Sequence, residues 1–79
     1  MHADRLTPLG VMLLALLHEG DMHPYEMIRL LRLRHDDRLV PVTNGTVYHT
    51  VGRLQKLGLL GEQGVDREGN RPERTTYRV

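Results

Sequence analysis

The chain has 79 residues, with 11 Lys+Arg against 10 Asp+Glu, five His and no cysteine. A chain of this size forms one domain with a thin core, burying roughly 60–65% of the surface its unfolded form exposes. The near-zero charge neither requires nor forbids a polyanionic partner, and the missing cysteine excludes disulfides, Cys-based zinc sites and thiol nucleophiles.

No segment reaches the ~18 apolar residues of a membrane span. The run PLGVMLLALLHEG has the length of a signal-peptide core. Its upstream flank, however, pairs Asp4 with Arg5, and no small-x-small cleavage site follows, so a cytoplasmic location is expected.

In chain order, Thr7-Pro8 predicts the start of a first helix: Thr caps the free amides and Pro suits the first helical position. This helix is expected to end near Gly20. Leu9, Val11, Met12, Leu13, Leu14, Leu16 and Leu17 cover most of its circumference. A helix apolar all round is buried all round. A domain this small covers only part of it, so a surface from outside these residues is expected to cover the rest.

Pro24 opens a second helix, predicted to run to Arg34, with Met27, Ile28, Leu30 and Leu31 on one side and Arg29 and Arg32 opposite. Tyr25 reads as a packing residue, as do Met12, Met22 and Met27. A loop through HDD follows, then a short extended segment, RLVPV, which Pro41 confines to an edge or to irregular structure.

Asn44-Gly45 is a strong hairpin signal, but the residues after it do not alternate as a strand would. Val47, Val51, Leu54 and Leu57 instead recur at helical spacing and form one narrow stripe. Thr43 stands at the N-cap and Gly58 at the C′ position, so Asn44-Gly45 is the first turn of a third helix. After Gly58, LLGEQGV and RTTYRV are strand candidates around DREGNRPE, a stretch rich in turn formers and charge. The sum is a mainly α (α+β) domain: three helices and a small β-hairpin.

Opposite the apolar stripe, the third helix presents Gly45, His49, Gly52 and Lys56, with Thr46 and Arg53 beside them and Tyr48 on the other flank. No acidic residue lies between Thr43 and Gly61. Two exposed helix glycines cost about 1 kcal/mol each relative to alanine, and close approach of another surface is the physical reason to keep them. The helix start, with free amides and a positive dipole end, suits phosphate. This is the pattern of a helix entering a DNA major groove N-terminus first. From Thr43 to Val79 there are six Lys/Arg (Arg53, Lys56, Arg67, Arg71, Arg74, Arg78) against four Asp/Glu. So small an excess predicts weak, salt-sensitive binding by one copy, with two linked copies gaining about 10²–10⁴ in avidity.

No nucleophile–base pair, carboxylate pair or phosphate-cradling loop can be assembled, so neither an enzyme nor a cofactor is expected. His18 and His23 lack the i,i+4 placement of zinc ligands. NGT is formally a glycosylation sequon but has no secretory context. DREGN lacks the acidic spacing of a calcium loop.

LTPLGVMLLALLHEGDMHPYEM, NGTVYHTVGRLQKLGLL and REGNRPERTTYRV together resemble the PadR family of bacterial transcriptional regulators, from about Leu6 to Val79. Most specific are Gly45-Thr46-Val47-Tyr48, Arg53-Leu54 and Gly58-Leu59, with Arg71-Pro72 before a Tyr-containing strand. The resemblance implies a winged helix-turn-helix repressor spanning residues 1–79, with a recognition helix at about 43–57 and a wing at about 66–74. It further implies a homodimer formed through a C-terminal helical region absent from this chain, and release of operator DNA by a small hydrophobic effector. The chain departs from the family pattern at Pro24, Gly52, Asn70, Glu73 and Thr75; Gly52 removes a charge from the expected DNA face.

Base readout is expected from Asn44, His49 and Arg53, and phosphate positioning from Thr46, Tyr48, Lys56 and Arg71. Thr43, Gly45, Arg67 and Arg74 complete the expected double-stranded DNA surface. The alternative is a winged-helix protein-interaction module using the same faces; DNA binding would fall steeply with salt, and an apolar protein contact would not.

Overall fold

Each helix begins on a side-chain cap that the sequence supplies. In the first, α1 (Pro8–Glu19), the Gly10 N–H donates to Thr7 Oγ1 at 3.0 Å. In the second, α2 (Pro24–Leu33), the cap is an imidazole: His23 Nδ1 accepts from the Tyr25 N–H at 3.0 Å, while Glu26 Oε1 accepts from the His23 N–H at 3.1 Å. The third, α3 (Asn44–Lys56), starts on Thr43. It ends in a Schellman motif, with the Gly58 N–H bonded to the Gln55 carbonyl and the Leu59 N–H to the Leu54 carbonyl, both at 3.0 Å. Gly58 adopts φ 75°, the left-handed conformation that glycine takes without strain. The computed structural model describes residues 6–66 and 74–79; for residues 65, 66 and 74 it describes the backbone only.

The segment 38–42, which Pro41 was expected to confine to a sheet edge or to irregular structure, takes the irregular form. A 3₁₀ turn at Asp36–Arg38 leads into an irregular stretch ending at the buried Val42. Pro41 has no N–H for a ladder, and the Val42 carbonyl accepts from Arg32 Nη2 at 3.1 Å instead. In the loop that ends α2, His35 stands at φ 62°, a left-handed position more usual for glycine.

The strands β1 (Gly61–Asp66) and β2 (Arg74–Arg78) pair antiparallel, with Gly61 opposite Arg78 and Glu62 opposite Tyr77. The register shifts between Glu62 and Gly64, so Gln63 is the extra residue of a bulge. A reciprocal backbone bridge ties the hairpin to the body: the Tyr77 N–H donates to the Met22 carbonyl at 2.8 Å, and the Met22 N–H to the Tyr77 carbonyl at 3.1 Å. The α1–α2 connection thus supplies one rung of a third strand, which its sequence does not announce. Burial pushes the Tyr77 phenol above its usual pKa, and the Glu62 carboxylate adds to the shift.

The core lies where the helices meet, with Leu13, Met27, Leu31, Val47, Val51 and Leu54 buried and Val42 and Leu60 closing its ends. Where α1 crosses α3, a Cβ at Gly10 would stand 3.3 Å from Thr7 Oγ1 and 3.6 Å from the Leu54 side chain, so glycine permits the approach. The apolar circumference of α1 is only partly covered: Val11 is 52% exposed, and Met12 and Leu14 are half-buried. Among the described residues, no helix is long and apolar enough to cross a membrane.

Candidate nucleic-acid interface

The stripe that anchors α3 also fixes what it shows to solvent. Val47, Val51 and Leu54 are buried, so at 100° per residue Gly45, His49, Gly52, Arg53 and Lys56 turn outward. Asn44, Gly45, His49, Arg53 and Lys56 are exposed, Gly52 is half-buried and Tyr48 is 44% exposed. No carboxylate occurs in the helix. A Cβ at Gly52 would meet nothing within 4 Å, and one at Gly45 only Thr43 Oγ1 at 3.9 Å. Neither glycine is required by packing inside the described chain.

The first turn is rigidly capped. Thr43 Oγ1 accepts from the Thr46 N–H at 3.1 Å, and Thr46 Oγ1 accepts from the Thr43 N–H at 3.0 Å. Both hydroxyls, expected to face DNA, are therefore committed to this reciprocal box. The Thr46 hydroxyl also lies within 3.0 Å of the Thr43 carbonyl. Among the described residues, the Asn44 and Gly45 N–H groups are the ones at this helix start without an acceptor.

The flank of α3 that faces α2 borders residues that were not among those expected to meet DNA. Tyr25, expected to be a packing residue, is 51% exposed, because it lies off the Met27, Ile28 and Leu31 stripe that α2 buries. Its ring meets Tyr48 edge-on at 6.4 Å and stacks on His23 at 5.4 Å, joining the α2 start to the α3 face. Beside this cluster, Tyr25, Ile28, Arg29, Arg32 and Asn44 line an open cleft of about 510 Å³. The i,i+4,i+7 spacing of Tyr25, Arg29 and Arg32 is the signal that places them together. On the other flank, Thr46, His49 and Thr50 join Thr7, Leu9, Val40 and Pro41 around an apolar hollow of about 290 Å³.

Among the described residues, no group of His, Asp and Glu side chains is arranged to hold a metal ion. The expected wing residues Arg67 and Arg71, and the side chain of Arg74, lie outside the described residues.

Residues 13–79 match the model of the transcriptional regulator PadR-like family. The chain belongs to this PadR-like family. No curated protein sequence matches it. Among solved structures it is similar to Bacillus subtilis PadR, crystallised in complex with operator DNA, with a TM-score of 0.78 at 17% identity. The match covers 91% of this chain and 40% of the Bacillus subtilis chain, so the PadR-like chain described here spans well under half of that relative's length. At this identity the likeness speaks for the fold, a winged helix of three helices and an antiparallel hairpin.

Proposed function

We propose that this PadR-like chain is the DNA-binding domain of a transcriptional repressor, with α3 in the major groove and the wing, residues 66–74, on the backbone or in the minor groove. The observation that carries the reading is the outward face of α3, which is slender, basic, free of carboxylates and opposite a fully buried stripe. Asn44, His49 and Arg53 read base edges, while Tyr48, Lys56, Arg71 and the free amides of the α3 start position the phosphates. Thr43 and Thr46 act by holding that start rigid rather than through their hydroxyls. Gly45 and Gly52 let the duplex approach the backbone.

The repressor acts as a homodimer in the cytoplasm. The uncovered side of α1, around Val11, Met12 and Leu14, packs against the C-terminal helical region that the PadR resemblance implies. A small hydrophobic effector that releases DNA belongs to the same proposal. Selection of bound sequences from a random duplex pool, with a chain that includes the C-terminal region, tests it. A two-fold symmetric consensus is expected, with affinity falling steeply as salt rises. Binding that is indifferent to salt and to duplex sequence overturns the reading in favour of a protein-interaction module.

A further inference from the structure

We infer that the cleft between α2 and the start of α3 seats a backbone phosphate of duplex DNA, held chiefly by Arg29 and Arg32. This rests on the DNA-binding reading and extends the footprint from α3 onto α2.

Of the five side chains that line the cleft, two are guanidinium groups, one is a phenol, one is an amide and none is acidic. The nearest carboxylate in sequence, Glu26, is turned back to accept the His23 N–H at 3.1 Å. Arg34 is paired with Glu19, whereas no carboxylate among the described residues pairs with Arg29, which keeps its charge for an external anion. Arg32 is held in place by its 3.1 Å bond to the Val42 carbonyl, one residue before Thr43 caps α3. That bond uses one nitrogen; a guanidinium carries five N–H donors in a rigid fork, so donors remain for an oxyanion. Asn44, on the opposite wall, opens α3, where the unpaired Asn44 and Gly45 N–H groups and the positive end of the helix dipole add to the attraction. The edge-on Tyr25–Tyr48 contact makes this cleft continuous with the outward face of α3. The inference thus sets the sugar–phosphate chain of a strand whose bases face α3 beside Arg29.

Salt titration of binding to a random-sequence duplex tests the inference, because each neutralised phosphate contributes about 0.9 to the slope of log K against log salt. Arg29→Gln is expected to lower that slope by about 0.9, so between 50 and 200 mM salt the wild type loses about 3.5-fold more affinity than the variant. Arg29→Lys, which keeps the charge, should retain the wild-type slope. Arg34→Gln, on the pair with Glu19, should leave the slope unchanged. Arg29 is exposed, so its variants fold, and equal Tm values for Arg29→Gln and wild type confirm this. A wild-type slope in Arg29→Gln overturns the phosphate seat while leaving the DNA-binding reading intact. Failure of the wild type to bind any duplex overturns both.

Discussion

α1 and α3 cross at Gly10 and share one core, yet each carries surface that the domain leaves unused, and the two surfaces are chemically opposite. On α1 the surplus is apolar: Val11 stands half in water, and Met12 and Leu14 are half-buried. On α3 the surplus is glycine, amide, imidazole and cation, with no carboxylate. Uncovered apolar area is relieved by another apolar surface, and so by protein. A basic face that gives up helix stability for two glycines is relieved by an anionic surface pressed close. In the proposed function this contrast is the reason to give α1 to assembly and α3 to DNA.

The sharpest way to break the comparison is to remove what the two helices share. Leu54 is buried under α1, and a Cβ on Gly10 would touch it. Leu54→Ala should cost about 2–5 kcal/mol, a large part of the roughly 5–15 kcal/mol that stabilises a whole domain. Thermal unfolding followed by circular dichroism should show a broad, low transition, and DNA binding should vanish with it. An unchanged Tm would mean that α1 and α3 do not share a core.

A smaller cut separates them. Thr43→Ala removes half of the reciprocal box at the start of α3, an effect of about 1 kcal/mol that corresponds to a Tm lowered by about 4–8 °C. Hydrogen exchange should quicken at Thr46 and Val47, whose N–H groups bond to Thr43, and stay slow in α1; equal quickening in both helices would contradict a local role for the cap. Gly52→Ala runs the other way. The added methyl group meets nothing inside the described chain, so folding should gain about 1 kcal/mol while affinity for duplex DNA falls. Rising stability together with rising affinity would show that the glycine serves no close approach. On α1, Val11→Ser should change the stability of the isolated domain by about 0.5 kcal/mol or less, yet weaken self-association of a longer chain in sedimentation. No change in association would remove α1 from the proposed dimer contact.

How far the sequence announced this division depends on the kind of signal. The caps on Thr7 and Thr43, the Gly58 exit and the buried stripe of α3 are local, and each was legible because a single residue type has one physical reason to be there. Residues 38–42 take the irregular of the two forms that Pro41 leaves open, but the partner of the Val42 carbonyl, Arg32 on α2, is not marked locally. The Met22–Tyr77 bridge joins residues 55 positions apart, and nothing local to either marks it. The packing partners of Tyr25 are hidden from the sequence for a related reason. Tyr25 packs on a half-exposed flank of α2 beside Tyr48, a place that depends on how two helices dock.

The smallest expected effect lies away from both unused faces, where the ends of α1 and α2 meet. Arg34 Nη1 and Nη2 donate to the two carboxylate oxygens of Glu19 at 2.8 and 2.7 Å. Glu19 is the last residue of α1, where the negative end of the helix dipole disfavours a carboxylate, so the guanidinium offsets a local liability. Its hydrogen bonds hold the Glu19 carboxyl below the usual glutamate range, and the same bonds raise Arg34 further above a value that already keeps it charged. A carboxyl whose pKa is depressed by folding contributes fully above its unfolded value and loses that contribution as pH falls through the folded one. Both groups are exposed, so screening keeps the gain small and salt-sensitive. Glu19→Gln should therefore lower Tm slightly at neutral pH and low salt, with the difference closing as the solution is acidified below pH ~4. A difference that persists in acid would show that Glu19 acts through packing or capping rather than through its charge.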